Sequence, residues 1–216
     1  MAKPKILLAD DHALVVDGFC KLLEATYEIV GTVSDGRELL RVAPTLRPDV
    51  VLLDIGMPSL NGVDAGRQLK KMLPHAKIIL LTVNTDYDLA LAAVRDWASG
   101  YFLKSSRGPE LLDAIQQVLK GDRYLSPLFA DRQMQEFVRD PRPDRENQLT
   151  VRQREVLQLL SEGYSMKEAA AKLCVCMRTV AFHKYEIMEK FGLKTNSELI
   201  FFAIKQHVLA KPELVS

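Results

Sequence analysis

"KILLADDHALVVDGF", residues 5–19, runs from an apolar segment into two adjacent carboxylates and then into a helical pattern. Like charges side by side raise one another's pKa and cost stability without a positive partner, so Asp10 and Asp11 at the end of a buried strand ask for a cation. The same punctuation recurs downstream. "EIVGTV" (28–33), "VVLLD" (50–54), "KIILLT" (77–82) and "GYFLK" (100–104) are short, β-rich apolar runs. Between them, stretches such as "YDLALAAVRDWA" (87–98) and "PELLDAIQQVLK" (109–120) repeat apolar residues every three or four positions, as amphipathic helices do. Five strands alternating with helices predict an α/β domain over residues 1–121, a doubly wound parallel sheet covered on both faces. Ligands of such sheets sit outside the carboxyl ends of the strands.

The rest of the chain differs in kind. A length of 216 residues suits two modest domains. No apolar run approaches the ~20 residues that cross a bilayer, and "MAKPKILLADDHA" lacks a signal-peptide pattern, so a cytoplasmic protein without membrane segments is expected. Cys20, Cys174 and Cys176 are too few for a disulfide framework and lack zinc-site spacing. Residues 122–148 are expected to be a linker, since "RDPRPDRENQ" (139–148) combines two prolines with dense charge. Residues 150–216 carry ten Lys and Arg against seven Asp and Glu, the one net basic segment. Within 149–216 three Ser/Thr residues stand three positions before Glu or Gln: Thr150 and Gln153, Ser165 and Glu168, Thr195 and Glu198. Each pair has the capping-box spacing and predicts a separate helix start.

Asp54 closes the third strand, and adjacency of strands one and three would gather Asp10, Asp11 and Asp54 at one sheet edge. Three converging acids call for a hard divalent cation with oxygen ligands, Mg²⁺ by preference. Thr82 and Lys104 end the fourth and fifth strands. A carboxylate nucleophile, a divalent ion, a hydroxyl and a lysine are the parts phosphoryl transfer uses. "ADDHALVVDGF", "VVLLDIGMPSLNGVD", "LLTVNTD" and "SGYFLK" together resemble, in order and spacing, the flavodoxin-like (βα)5 receiver domain of bacterial two-component response regulators. The resemblance implies that Asp54 is the phosphoacceptor and that Asp11 and Asp54 ligate Mg²⁺ directly. It also implies that Asp10 acts through water and that the Gly56 carbonyl completes the ligands. Thr82 and Lys104 would bind phosphoryl oxygens, and Tyr101 would be an aromatic switch turning inward when Thr82 moves. Taken singly, the residues admit plainer roles: Asp10 or Asp11 a helix cap, Thr82 a strand residue, Lys104 a solvated charge, Tyr101 core. Pro58, Asn61 and Gly62 read as the turn into the next helix. Trp97 stands where the family usually has a small residue, either filling a local groove or contacting a partner. Gly56 and Asn84 occupy positions where the family varies in phosphoryl lifetime.

The tail, "LTVRQREVLQLLSEGYSMKEAAAKLCVCMRTVAFHKYEIMEKFGLKTNSELI" (149–200), resembles the LuxR-type helix-turn-helix of the NarL/FixJ class, a four-helix all-α domain. Helix one (151–161) turns Val156, Leu157, Leu159 and Leu160 to a core, and helix two (166–173) Ala169, Ala170 and Leu173. Helix three, from Met177, aligns Val180, Ile187 and Phe191 on one buried stripe. Met177, Arg178, Ala181, Phe182, Tyr185 and Glu189 lie opposite. A recognition helix enters the DNA major groove with its N-terminal part. Arg178, Thr179, His183, Lys184 and Lys190 are candidate phosphate contacts. Ala181, Phe182 and Tyr185 fall where the family reads bases. None is basic, so readout would lean on thymine methyls and a tyrosine hydroxyl; the alternative for the two aromatics is packing against a neighbouring helix. In the last helix (196–208) Leu199, Phe202 and Ile204 are candidate dimer contacts.

The sequence thus describes a regulator of transcription rather than an enzyme. A histidine kinase would phosphorylate Asp54, a homodimer would form at least when phosphorylated, and double-stranded DNA with paired half-sites would be bound. Two alternatives are a phosphorylation-independent DNA binder whose receiver is a dimer scaffold, and a Mg²⁺-dependent phosphatase. The phosphatase needs a second acid two residues after its aspartyl nucleophile, where this chain has Gly56.

Overall fold

The computed structural model describes residues 2–83, 87–127, 149–206 and 208, with backbone alone at 87–89 and 91. Asn84 and the linker from 128 to 148 lie outside the described residues. The chain divides into two compact units, Met1–Pro141 and Arg142–Ser216.

In the first unit the apolar runs become β1 (Lys5–Ala9), β2 (Glu28–Val33), β3 (Val50–Asp54), β4 (Lys77–Thr82) and β5 (Gly100–Leu103), all parallel. The intervening helices are α1 (Ala13–Leu23), α2 (Gly36–Leu46), α3 (Gly62–Met72), α4 (Tyr87–Asp96) and α5 (Gly108–Lys120). Five strands were expected, and the sheet formed by the described residues has six. Beyond residue 121, in the segment read as linker, β6 (Tyr124–Leu125) adds a parallel strand on β5, giving the order β2-β1-β3-β4-β5-β6. The Leu103 amide donates to the Ser126 hydroxyl (3.0 Å), and the Ser126 amide to the Tyr101 carbonyl (3.1 Å), fastening this added strand.

Strand alternation builds two cores. Leu7, Val51, Leu53, Ile78, Leu80 and Tyr101 face α2, α3 and α4, where Leu39, Ala65, Leu69 and Ala93 meet them. Ile6, Leu8, Leu52, Ile79, Leu81 and Phe102 face α1 and α5 through Leu23, Leu111, Ile115 and Val118. A sheet buried on both faces needs such near-continuous apolar strands, and that leaves their ends as the place for polar side chains.

The second unit has α6 (Val151–Ser161), α7 (Met166–Lys172), α8 (Met177–Lys190) and α9 (Asn196–Lys205). Thr150 and Ser165 form complete capping boxes with Gln153 and Glu168. Thr195 does half of this: its hydroxyl accepts from the Glu198 amide, while the Glu198 carboxylate takes the Lys194 amide (2.6 Å). Val156, Leu159, Ala169, Ala170, Leu173 and Val180 make one small core, and Leu157, Ile187, Leu199 and Ala203 a second.

The last helix corrects one expectation. Leu199, expected at a dimer surface, is 3% exposed, and Phe202 packs half-buried on Phe191 with ring centroids 4.4 Å apart. Ile204 is half-buried as well. The face open to solvent is instead Ile200 with Phe201, the latter 75% exposed.

Candidate functional site

Because β3 lies between β1 and β4, the carboxyl ends of β1, β3, β4 and β5 share one sheet edge. Asp10 and Asp54 are buried there. The Lys104 ammonium donates to Asp10 Oδ2 at 2.8 Å and to Asp54 Oδ1 at 2.9 Å. Its backbone amide donates to the Thr82 carbonyl (2.7 Å), which locks the ends of β4 and β5 together. Burial lifts the Asp54 carboxyl above the ordinary carboxylate range; Lys104 opposes that, and Asp10 and Asp11 add to it. Burial alone would lower the Lys104 pKa, but Asp54 and Asp10 reverse the effect and hold the ammonium above the ordinary lysine value.

Ligand atoms of Asp10, Asp11, His12 and Asp54 all lie within 4.8 Å of one another. His12 is the member the sequence did not single out. Its Nδ1 stands 3.1 Å from Asp10 Oδ1 and 2.9 Å from Asp11 Oδ1, and its amide donates to Asp10 Oδ1 (3.0 Å). Three carboxylates are hard oxygen donors and fit a divalent cation of the Mg²⁺ type. Gly56 lies in the turn after Asp54. Thr82 is buried at the end of β4, and the Tyr101 ring is wholly buried on β5.

The loop after Asp54 is fixed by close backbone approach. A Cβ on Gly62 would fall 1.9 Å from the Asp54 carbonyl oxygen, so only glycine lets α3 start against the end of β3. Asn61 caps that helix by accepting from the Asp64 amide (3.0 Å). Trp97 fills a local groove: its six-membered ring lies 2.5 Å from where a Gly66 Cβ would stand, so the indole at the end of α4 seats in a notch on α3.

In the helical unit, Val180 and Ile187 of α8 are closed off from solvent, with Phe191 half-buried beyond them. Phe182 and Tyr185 are 57% and 59% exposed, which removes helix packing as their role. Arg178 and Lys190 are exposed; Thr179, Ala181, His183 and Lys184 are half-buried along the flanks. The Lys184 ammonium lies 5.7 Å from the Tyr185 ring centre, and the Phe182 ring meets His183 edge-on at 5.4 Å. His183 Nδ1 stands 3.5 Å from the Glu186 carboxylate, which also receives Gln153 Nε2 at 3.4 Å.

The model of the response regulator receiver domain matches residues 6–116, and that of bacterial regulatory proteins of the luxR family matches residues 147–203. The chain belongs to the LuxR-type response regulators. Oxygen regulatory protein NreC of Staphylococcus aureus (strain JH9) is 37% identical to this regulator over 214 residues, covering 95% of this chain and 99% of that protein. Among solved structures, response regulator ChrA of a heme-sensing two-component system is 32% identical, with TM-score 0.51 over 97% of this chain and 100% of that one. RcsB from Salmonella enterica serovar Typhimurium, bound to promoter rprA in the presence of phosphomimetic BeF3-, is 28% identical, with TM-score 0.59 over 93% of this chain and 98% of that one. The regulator is therefore a receiver joined to a LuxR-type DNA-binding domain, a DNA-binding transcription regulator. Among its described residues no helix is long and apolar enough to cross a membrane.

Proposed function

We propose that Asp54 accepts a phosphoryl group from a partner histidine kinase in a Mg²⁺-dependent reaction, and that the acyl phosphate controls dimerisation and DNA binding in the cytoplasm. The observation that carries this is the buried Asp54 carboxylate held by Lys104, with Asp10 and Asp11 converging beside it. Asp54 attacks phosphorus in line, an O–P bond forms as the P–N bond to the kinase histidine breaks, and the lone pair stays with the imidazole. Asp10, Asp11, Asp54 and the Gly56 carbonyl would hold Mg²⁺, which neutralises charge on the transferred group. Lys104 already points its ammonium at Asp54 and pairs with one phosphoryl oxygen, while the Thr82 hydroxyl takes another. Tyr101 is the aromatic switch, and its ring is already wholly buried on β5, the inward setting expected to accompany a moved Thr82.

On the output side, Arg178, Thr179, His183, Lys184 and Lys190 contact phosphates, and Ala181, Phe182 and Tyr185 face bases of paired half-sites. Ile200 and Phe201 form the contact between two copies. To test this, the chain and its Asp54→Ala variant are incubated with Mg²⁺ and acetyl phosphate or beryllofluoride, and mass and affinity for genomic DNA fragments are measured. Modification of the wild type alone, with tighter binding, is the expected result. Equal DNA affinity for the two proteins would point instead to a receiver that serves as a dimer scaffold.

A further inference from the structure

Arg178, Phe182, Tyr185 and Glu189 follow one another at steps of four, three and four residues, which places them in a single ridge along α8. The ridge lies opposite Val180 and Ile187, so the fold itself has no use for the two aromatic rings in its centre. Met177, 53% exposed, extends the apolar strip toward the helix start. A strip of this kind inside a net basic domain fits a polyanion that offers apolar contacts.

We propose that Phe182 and Tyr185 make this regulator a reader of consecutive A·T pairs, through the thymine methyls in the major groove. The inference rests on the placement of α8 against DNA given above. Guanine presents acceptors at O6 and N7 that call for a donor, which phenylalanine lacks; the C5-methyl of thymine is the apolar feature of the groove floor. Three helical residues advance about 4.5 Å, against roughly 3.4 Å for one base step. The two rings therefore meet neighbouring pairs. The Tyr185 hydroxyl, donor and acceptor at once, suits the adenine edge beside a thymine. Lys184 sets a positive charge at the flank of that ring, toward the phosphate backbone. Glu189 ends the ridge with a carboxylate, so contact with base edges is confined to the part of α8 before it, while Lys190 beyond it is left to the phosphate backbone.

The full-length chain, loaded with Mg²⁺ and beryllofluoride, is used to select duplexes from a random pool. Each thymine of the selected site is then replaced by uracil, which preserves every hydrogen bond and deletes one methyl. Two neighbouring positions in each half-site should lose about four-fold in affinity per methyl, the factor expected for one buried carbon. In Phe182→Ala one of those losses should vanish, in Tyr185→Ala the other, and Tyr185→Phe should retain both. Selected sites whose uracil series is flat, or G·C pairs fixed at the centre of the half-site, would overturn the inference while leaving α8 as the DNA-binding helix. Failure to select any duplex, with the aromatic strip capturing a protein instead, would overturn that placement too. The uracil series uses the unaltered chain, so the result does not hinge on how a variant folds.

Discussion

Asp54 sits where a carboxylate is costly, and its titration follows from that. Its raised pKa means that the folded chain holds the proton more tightly than the unfolded chain. Between the unfolded and folded pKa values the unfolded state binds fewer protons, so stability falls as pH rises through that window and the deficit is complete above it. In EDTA at pH 7.5, Asp54→Asn should therefore raise the melting temperature by several degrees, on the order of 1 kcal/mol. The gain should shrink as pH falls through the raised folded value and be gone by about pH 4, the ordinary carboxylate range, which a pH series of thermal melts reads directly. Lys104 works in the opposite sense: its raised pKa contributes stability that is present at neutral pH and lost as pH climbs past the folded value. Lys104→Met leaves Asp10 and Asp54 facing each other without a cation. It should cost about 3 kcal/mol in chemical denaturation, and Mg²⁺ should recover more stability in that variant than in the wild type.

At the scale of elements, α4 is joined to α3 by an indole in a glycine notch. Gly66→Ala puts a methyl inside the Trp97 ring and should cost roughly 1–3 kcal/mol from overpacking. Trp97→Leu in the same chain should return most of that, a coupling that a double-mutant cycle on thermal stability isolates. Such pairings show where sequence patterns run out. Four of the five main strands were legible because apolar runs end abruptly in Asp10, Asp54, Thr82 and Lys104, β2 because its apolar run stands between helical patterns, and three helix starts because each capping residue is local. Strand β6 was not legible: two residues in a charged, proline-flanked segment carry no period, and their pairing depends on Ser126 meeting Leu103 across 23 positions. The face of α9 was not legible either, since Leu199 to Ile204 are all apolar and periodicity has no polar side to register against. His12 entered the acidic cluster through ring orientation, which no residue spacing encodes.

For the molecule as a whole, the exposed face of α9 and the basic flanks of α8 make separable predictions. Phe201→Ser alters a side chain that stands outside the core, so it should leave stability within about 0.5 kcal/mol of wild type. It should nevertheless abolish phosphorylation-dependent dimers in sedimentation, and weaken binding to a paired site without changing affinity for a half-site. Lys190→Ala should lower the slope of log affinity against log salt by about 0.9, the value for one phosphate left unneutralised, whereas Phe182→Ala should shift affinity at constant slope. Trp97 adds a consequence of another kind. It is the one tryptophan in 216 residues, and it lies between the end of α4 and the start of β5, next to the strand that carries Tyr101. The emission of this single fluorophore therefore belongs wholly to that junction, so the unlabelled protein contains its own optical gauge of how α4 is seated, readable by stopped flow from the moment a phosphodonor is mixed in.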